Sequence, residues 1–482
     1  MSRRTALVVV FLALAARLAL LALVHHRDPM AFSYVDTEDY LGPARALRDL
    51  GAYAPGPERP GEAEIVRAPG YPLLMAATFT LLGEERWAVS AVGALLATAT
   101  ALVLLFGMGR FVGERASAWG ATLLCLDAGS VARSLDLLSE TLFTLLLALA
   151  LLALCSAVSR GPVRPAPALL AGFLTGAAVL VRPILLYFPL AAAAGLALVA
   201  VRRAAGTKAR LLPVAAFLAP VILLAGGWIV RNGVATGAYV MTPVAGHQLL
   251  HRRAAAVDAR VRGVSLTRAQ EELGIREAFF RWRGPGSERE LFGARRYAEV
   301  FPATAGLSAA ELDRRWTRRA LEIFREHPLG TARMLAQGTA MLLLSPPPVI
   351  LSAKWGLLRP SEELFRLWSD QELGRFAARL RQESPRVWAA AGGAGGQRGV
   401  LCGRARAGLL LLGRRVPTAV QAVLAGTFLY LAATSAGTDA LDDRFRVPLM
   451  PVACLYAGAS LAALPSRPSR DEASGAGLAS IR

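Results

Sequence analysis

The sequence predicts an all-α protein that crosses a membrane many times. Hydrophobic residues make up 54% of its 482 positions, and charged residues make up only 18%. The hydrophobic residues fall in long blocks separated by short, arginine-rich breaks, which is typical of polytopic membrane proteins. The four cysteines are scattered without metal-ligand spacing, so we expect them to pack as small buried side chains.

The formal net charge of +19 does not indicate a nucleic-acid-binding protein. Lysine occurs only at Lys208 and Lys354, and no nucleic-acid recognition motif is present, so we attribute the charge to membrane topology and codon bias. The segments 110–115, 160–164 and 202–210 are rich in arginine, as cytoplasmic loops are, whereas the intervening turns are short and less basic. This pattern places the N-terminus in the cytoplasm.

About ten membrane spans are expected, with one to three more allowed because residues 352–415 are compatible with a broken helix or a cytoplasmic loop. Segment 5–24 is interpreted as an uncleaved signal anchor, and the apolar stretch 71–83 is too short to cross and should lie at the outer interface. The expected spans are 5–24, 88–107, 116–132, 137–158, 167–181, 184–201, 211–230, 332–351, 416–436 and 447–465.

The spans divide the chain into four parts. We predict an N-terminal membrane module (1–230, including a first external loop at 25–70), an external loop region (231–330), a C-terminal membrane module (331–465) and a disordered tail (466–482). An amphipathic stretch at 311–324 predicts a helix in the external region.

Once the sidedness is assigned, the polar residues that are costly in a membrane converge on the external face. A charge at a helix centre costs on the order of 3 kcal/mol, so a cluster of mutually compensating carboxylates and arginines is the cheaper arrangement. Arginines in such a cluster can bind phosphate, and carboxylates can bind a cation or accept a hydroxyl proton. The residues are Asp36, Asp39, Arg67, Asp136, Glu140, Arg182, Arg231 and Arg444.

Several segments resemble one family. Residues 36–53 fit D-x-x-x-Y-x-x-x-A-x-x-L-x-x-x-G-x-Y, and "RAPGYPLL" follows at 67–74. Further matching stretches are "LLSETLF" (137–143), "AGFLTGAAVLVRP" (171–183), "RNGVATG" (231–237) and "RFRVPLMP" (444–451). Together they resemble the polyprenyl-phosphate-sugar-dependent glycosyltransferases of the GT-C fold, the group of protein O-mannosyltransferases and lipid A aminoarabinose transferases.

This resemblance implies a GT-C-like bundle of about 10 to 13 transmembrane helices that transfers a sugar, with inversion, from a polyprenyl-phosphate donor. The expected location is the external face of the bacterial cytoplasmic membrane, with a protein, lipid or glycan acceptor. No cofactor is certain, and a divalent metal ion at Asp36 is left open. Catalytic roles are expected for Asp36, Asp39 and Glu140, donor-phosphate binding for Arg67, Arg182 and Arg444, and site-lining roles for Tyr40, Tyr71, Asp136 and Arg231.

Structural roles compete with several of these assignments. Asp39 is equally compatible with capping a helix that begins near Tyr40, and Arg182 with reaching to the membrane surface before Pro183. Asp136 and Glu140 are four residues apart and are expected to face the same way.

Two further groups of residues have competing interpretations. Arg444 and Arg446 are candidates for pairing with Asp442 or Asp443, and Phe445 stands where relatives commonly have tyrosine. His247 and His251 have a spacing that suits a metal, but without another evident ligand the structural interpretation is favoured.

Two other functions remain open from sequence. A secondary transporter or lipid flippase is also polytopic, but it should show internal repetition, paired interrupted helices and charges near the membrane midplane, which are not evident here. A non-catalytic assembly protein of the same fold is the other alternative, and it should tolerate substitution of Asp36.

Overall fold

The computed structural model describes residues 1–283, 291–292, 295–344, 361, 363–364, 367, 373–413, 416–437 and 443–464, and over these it has helices and no strands. Seven of the described helices are long and apolar enough to cross a membrane: Arg3–Arg27, Arg86–Val112, Glu140–Val158, Pro183–Arg203, Thr207–Thr236, Thr418–Ser435 and Arg444–Ala462. The prediction of an all-α, multi-pass membrane protein is therefore confirmed. The count of 10 to 13 spans stays a prediction.

The N-terminal part is built of helices that differ widely in length. Its helices are α1 (Arg3–Arg27), α2 (Val35–Leu50), α3 (Gly70–Leu82), α4 (Arg86–Val112), α5 (Glu114–Leu126), α6 (Ala128–Arg133), α7 (Glu140–Val158), α8 (Pro165–Val181), α9 (Phe188–Arg203) and α10 (Thr207–Thr236). Helices α2 and α3 pack against each other, and α3 also packs on α4 and α8.

The expectation of one span over 116–132 is wrong. Helix α5 ends at Leu126, and the Asp127 backbone is extended at φ −71° and ψ 109°. The Asp127 carboxylate then accepts a hydrogen bond from the Ser130 backbone N–H at 2.8 Å, which makes it the N-cap of the separate helix α6. The capping residue Asp127 therefore divides an apolar stretch that hydropathy alone predicts to be one continuous helix.

The described part of residues 245–326 consists of short helices and one longer amphipathic helix. After a turn at Ala245–His247 and a π-helical segment at Gln248–Ala254 come α11 (Ala255–Arg262), α12 (Leu266–Glu272), α13 (Ile275–Arg283), α14 (Tyr297–Val300) and α15 (Ala309–Glu326). Ser308 and Glu311 form a capping box at the start of α15. Leu312, Trp316 and Ile323 share a buried cluster with Leu250 and Val257, so the predicted amphipathic helix is present.

Two buried histidines in this region predict a loss of stability at low pH. The Nδ1 atoms of His247 and His251 are 3.0 Å apart, and both residues are fully buried. Burial, with the nearby charges of His251 and Arg252, lowers the pKa of His247 to about 2. Burial lowers the pKa of His251 to about 4, although its hydrogen bond to the Leu273 carbonyl opposes this.

Because both pKa values lie below the ordinary 6.5, the unfolded region binds more protons than the folded one below that pH. We expect residues 245–326 to be fully stable above pH 6.5 and to lose protection from hydrogen exchange as the pH falls from 6.5 toward 4. A His26→Gln variant, which changes an exposed histidine of α1, should show the same profile. Protection that stays constant over this range would contradict the prediction.

The C-terminal part contains a long helix within 352–415, the segment whose sequence is compatible with either a broken helix or a cytoplasmic loop. Its elements are α16 (Pro328–Leu344), α17 (Leu373–Glu383), α18 (Pro385–Gly413), α19 (Thr418–Ser435), a 3₁₀ turn (Asp443–Leu449) and α20 (Met450–Ala462). Helix α18 packs along α20, where Gly408 lies directly against the Tyr456 backbone and leaves no space for a side chain. The tail 466–482 and the end of the expected span 332–351 lie outside the described residues.

Candidate functional site

Helix α2 carries two acidic residues into the candidate site. It begins at Val35, and the side-chain oxygen of Thr37 accepts a hydrogen bond from the Tyr34 backbone N–H at 2.8 Å. The Thr37 hydroxyl in turn donates to the Leu137 carbonyl, which anchors the helix start to the turn before α7. Asp39 therefore lies inside the first turns of α2, so the expectation that it caps a helix beginning near Tyr40 is wrong.

Asp36 lies between two arginines that come from distant parts of the chain. Its Oδ1 is 3.1 Å from Nη2 of Arg67, and its Oδ2 is 2.6 Å from Nη1 of Arg444. Nη2 of Arg67 also lies 2.5 Å from Oδ2 of Asp39, as expected for carboxylates three residues apart on one helix face. The Asp36 side chain is 32% exposed, so the cluster is accessible to a ligand.

The two arginines determine the charge state of Asp36. Burial alone would raise the pKa of its carboxyl, but the charges of Arg444 and Arg67 and their hydrogen bonds lower the pKa well below its usual range. Asp36 is therefore ionised at neutral pH. An anion that took over the two guanidinium groups would remove this stabilisation and raise the pKa of the carboxyl again.

A second ion pair lies at the starts of neighbouring elements. Glu140 is the first residue of α7, and its Oε1 pairs with Arg182, which directly follows α8. The Glu140 side chain is only 4% exposed, and its Oε2 has no hydrogen-bond partner among the described residues. The pair leaves one buried carboxylate oxygen that can still accept a hydrogen bond.

Phe445 joins the two ion-pair clusters. The guanidinium carbon of Arg444 lies 4.8 Å from its ring centroid, and that of Arg182 lies 5.7 Å from it. Phe445 therefore packs against both cations. The 3₁₀ turn thus brings Arg444 to Asp36 while its next residue reaches Arg182.

A pair of tyrosine rings packs next to the Arg67 guanidinium group. The guanidinium carbon lies 4.9 Å from the centroid of the Tyr40 ring, which meets Tyr71 edge to face at 5.1 Å. The Tyr40 hydroxyl is within 3.3 Å of the Ser139 Oγ, and Tyr71 is only 3% exposed. Tyr40 therefore lies directly at the site, whereas Tyr71 holds Tyr40 in place.

Asp136 forms an ion pair with the arginine three residues before it. It lies in the turn before α7, and Oδ2 forms an ion pair of 3.0 Å with Nη1 of Arg133. Both side chains are almost completely buried, and Arg133 also contacts the hydroxyl and ring of Tyr34. The helix begins only at Glu140, so helical spacing alone does not align Asp136 with Glu140, and their common direction stays a prediction. In this position Asp136 supports the turn through its ion pair with Arg133.

The structure assigns partners to the remaining arginines. Arg231 donates to the backbone carbonyls of Glu64 and Tyr53, so it contacts the loop that carries Arg67 and not the carboxylates of Asp36 or Asp39. Arg446 lies 3.4 Å from Asp127. The expected alternatives for pairing of the C-terminal arginines, Asp442 and the Asp443 side chain, lie outside the described residues.

Sequence reasoning missed Glu64. Its Oε1 accepts hydrogen bonds from the backbone N–H groups of Val66 and Arg67, the latter at 2.8 Å. Burial raises the pKa of Glu64, although these N–H groups and the charge of Arg67 oppose the effect. The stretch before "RAPGYPLL" shows no spacing that marks this glutamate, because its partners are backbone atoms.

The described residues provide no evident metal centre. No group of three or more His, Cys, Asp or Glu side chains among them is arranged to hold an ion. The carboxylates of Asp36 and Asp39 are both bound by Arg67. The residues present at Asp36 therefore do not fit a divalent cation in this arrangement.

Fold and site together define a multi-pass helical membrane protein with a cluster of acids and arginines built from α2, the first loop, the start of α7 and the 3₁₀ turn. Residues 66–228 match the family model described as dolichyl-phosphate-mannose-protein mannosyltransferase. Over this segment the match agrees with the resemblance to polyprenyl-phosphate-sugar-dependent glycosyltransferases of the GT-C fold. The matched segment contains Arg67, Tyr71, Asp136, Glu140 and Arg182.

Solved structures similar to this chain include two membrane proteins. The archaeal oligosaccharyltransferase AglB from Archaeoglobus fulgidus, in complex with an inhibitory peptide and a dolichol-phosphate, is 13% identical with a TM-score of 0.47, over 97% of this chain and 54% of that one. ArnT from Cupriavidus metallidurans, bound to undecaprenyl phosphate, is 15% identical with a TM-score of 0.38, over 96% and 79%. The chain thus spans about half the length of AglB. No curated protein matches.

Proposed function

We propose that this protein transfers a sugar from a polyprenyl-phosphate donor to an acceptor on the external face of the bacterial cytoplasmic membrane. The observation that carries the proposal is the placement of Asp36 between Arg67 and Arg444, with Arg182 also packed against Phe445. The same proposal includes the cytoplasmic location of the arginine-rich loops and the division of the chain into four parts.

The arginines provide the chemistry for the leaving group. Breaking the bond between the anomeric carbon and the phosphate oxygen leaves polyprenyl phosphate, whose negative charge guanidinium groups stabilise. Arg67 and Arg444 are held by carboxylates, and a phosphate group can exchange for these because it offers the planar guanidinium donors more acceptor oxygens. The hydrocarbon tail of the carrier can remain in the lipid while its head group reaches the cluster.

The carboxylates provide the base. Attack on the anomeric carbon requires that the acceptor hydroxyl give up its proton, and Asp36 is ionised and partly exposed. Departure of its arginine partners toward the phosphate raises the pKa of Asp36, which makes it a stronger base when the donor is bound. A single displacement of this kind inverts the anomeric carbon. Asp39 and Glu140 are proposed to orient the acceptor, the latter through its unpartnered Oε2.

Transfer from a panel of radiolabelled polyprenyl-phosphate sugars tests this function. Membranes that contain the wild type should label endogenous acceptors, and Arg67→Ala should lower donor turnover by roughly 10- to 100-fold, as expected for loss of a charged hydrogen bond to phosphate. Arg59→Ala is the matched control, because Arg59 lies in the same loop but pairs only with the exposed Glu62 among the described residues.

Two results would contradict the proposal. If the wild type consumed no donor from the panel, the transporter or flippase would become the leading function. If Arg67→Ala turned over donor as fast as the wild type with equal expression, the assignment of the phosphate site would be wrong.

A further inference from the structure

The backbone of Arg67 is held from both sides by side chains of its own loop. The Tyr53 hydroxyl donates to the Arg67 carbonyl at 2.8 Å. The Arg67 N–H donates to Oε1 of the buried Glu64, also at 2.8 Å. Two hydrogen bonds to the Arg67 backbone, neither of which involves the guanidinium group, therefore fix the position of this residue in the loop.

Arg231, near the end of α10, in turn holds the backbone of both Glu64 and Tyr53. Its Nη1 donates to the Glu64 carbonyl at 2.6 Å, and its Nη2 donates to the Tyr53 carbonyl at 3.0 Å. The guanidinium carbon of Arg231 lies 5.6 Å from the Tyr53 ring centroid and 4.8 Å from that of Trp228. The rings of Tyr53 and Trp228 also meet edge to face at 5.2 Å.

We propose that Arg231, Tyr53 and Glu64 form a clamp that positions Arg67 for the phosphate of the donor. The inference rests on the proposed function and corrects the expectation that Arg231 lines the site. It makes Arg231 a positioning residue that acts through the loop backbone, because among the described residues it donates hydrogen bonds to the carbonyls of Glu64 and Tyr53 and to the Asn232 amide oxygen.

Positioning matters here because the phosphate-binding arginines come from separate elements. Arg67 lies in the first loop, Arg182 follows α8, and Arg444 lies in the 3₁₀ turn. Guanidinium groups can share one phosphate only if their relative positions are fixed in advance, and each loosened element weakens binding.

The clamp also joins the first loop to the beginning of the external region. The Trp228 Nε1–H donates to the Met241 carbonyl at 3.2 Å. The Asn232 amide donates to the carbonyls of Val240 and Met241 at 3.0 and 3.2 Å. The last turns of α10 therefore hold two segments at once, the loop of Arg67 and the segment that leads into the external helices.

Binding of undecaprenyl phosphate to the purified full-length protein in detergent tests the clamp without requiring turnover. Tyr53→Phe removes one hydroxyl and keeps the ring against Trp228 and Arg231. We expect it to weaken affinity by roughly 2- to 10-fold, as for loss of one hydrogen bond, while the melting temperature stays unchanged. Arg231→Gln should weaken affinity at least as much, with partial rescue in Arg231→Lys, and Arg59→Gln should have no effect.

A double-mutant cycle separates positioning from general damage. If Tyr53 acts through Arg67, Tyr53→Phe should cause no further loss of affinity in an Arg67→Ala background. Equal affinities of the wild type and Tyr53→Phe, or losses that multiply in the double variant, would overturn the clamp and leave the proposed function intact. Absence of binding to the wild type would overturn the proposed function and the positioning role together.

Discussion

Replacing Asp36 by asparagine is expected to lower sugar transfer by about 10²- to 10⁴-fold, the loss typical of removing a catalytic base. The amide keeps the size of the side chain but cannot accept the proton of the acceptor hydroxyl. It also loses the charge that holds Arg67 and Arg444 at 3.1 and 2.6 Å, so both arginines become freer to bind phosphate. Donor affinity should therefore be retained or increased while turnover is lost.

Initial rates at varied donor concentration, measured with wild-type and variant membranes at equal expression, distinguish these two effects. Asp49→Asn is the matched control, since Asp49 lies on the same helix and pairs with the neighbouring Arg48. A variant that keeps most of its turnover would favour the non-catalytic assembly protein. A variant that loses donor binding together with turnover would assign Asp36 to structure.

The pairing within α2 and its loop was predictable because it depends on short-range rules. Helical periodicity places Asp36 and Asp39 on one face, and topology places Arg67 on the same side of the membrane. The partner of Asp36 in the C-terminal part was not predictable. Arg444 is 408 residues away, and sidedness alone leaves every external acid as a candidate.

Two other features of the site could not be predicted from sequence patterns. Asp136 and Glu140 have helical spacing, but the helix begins only at Glu140, so the spacing carries no information about their directions. The clamp around Arg67 is made mostly of hydrogen bonds to backbone carbonyls and N–H groups. Such bonds leave no spacing in the sequence, because any residue supplies the same backbone atoms.

Truncating Glu140 is expected to have the largest effect on stability. Glu140→Ala leaves the guanidinium of Arg182, whose side chain is only 16% exposed, without its carboxylate partner. Breaking a buried ion pair from one side costs about 3–5 kcal/mol, since a charge remains buried without compensation. Thermal unfolding in detergent, monitored by size-exclusion chromatography, should show a clear drop in the melting temperature of Glu140→Ala. The control Glu114→Ala, which removes an exposed pair with Arg3, should show little change.

A double variant separates the structural role of this pair from its proposed role in transfer. Glu140→Leu combined with Arg182→Met replaces the buried charges by apolar side chains of similar volume, which is often neutral or stabilising. We expect it to recover most of the stability that Glu140→Ala loses, yet to remain defective in sugar transfer, because it lacks both the unpartnered oxygen and a phosphate-binding arginine. Recovery of transfer together with stability would show that the pair serves the fold alone, and the phosphate site would then consist of Arg67 and Arg444.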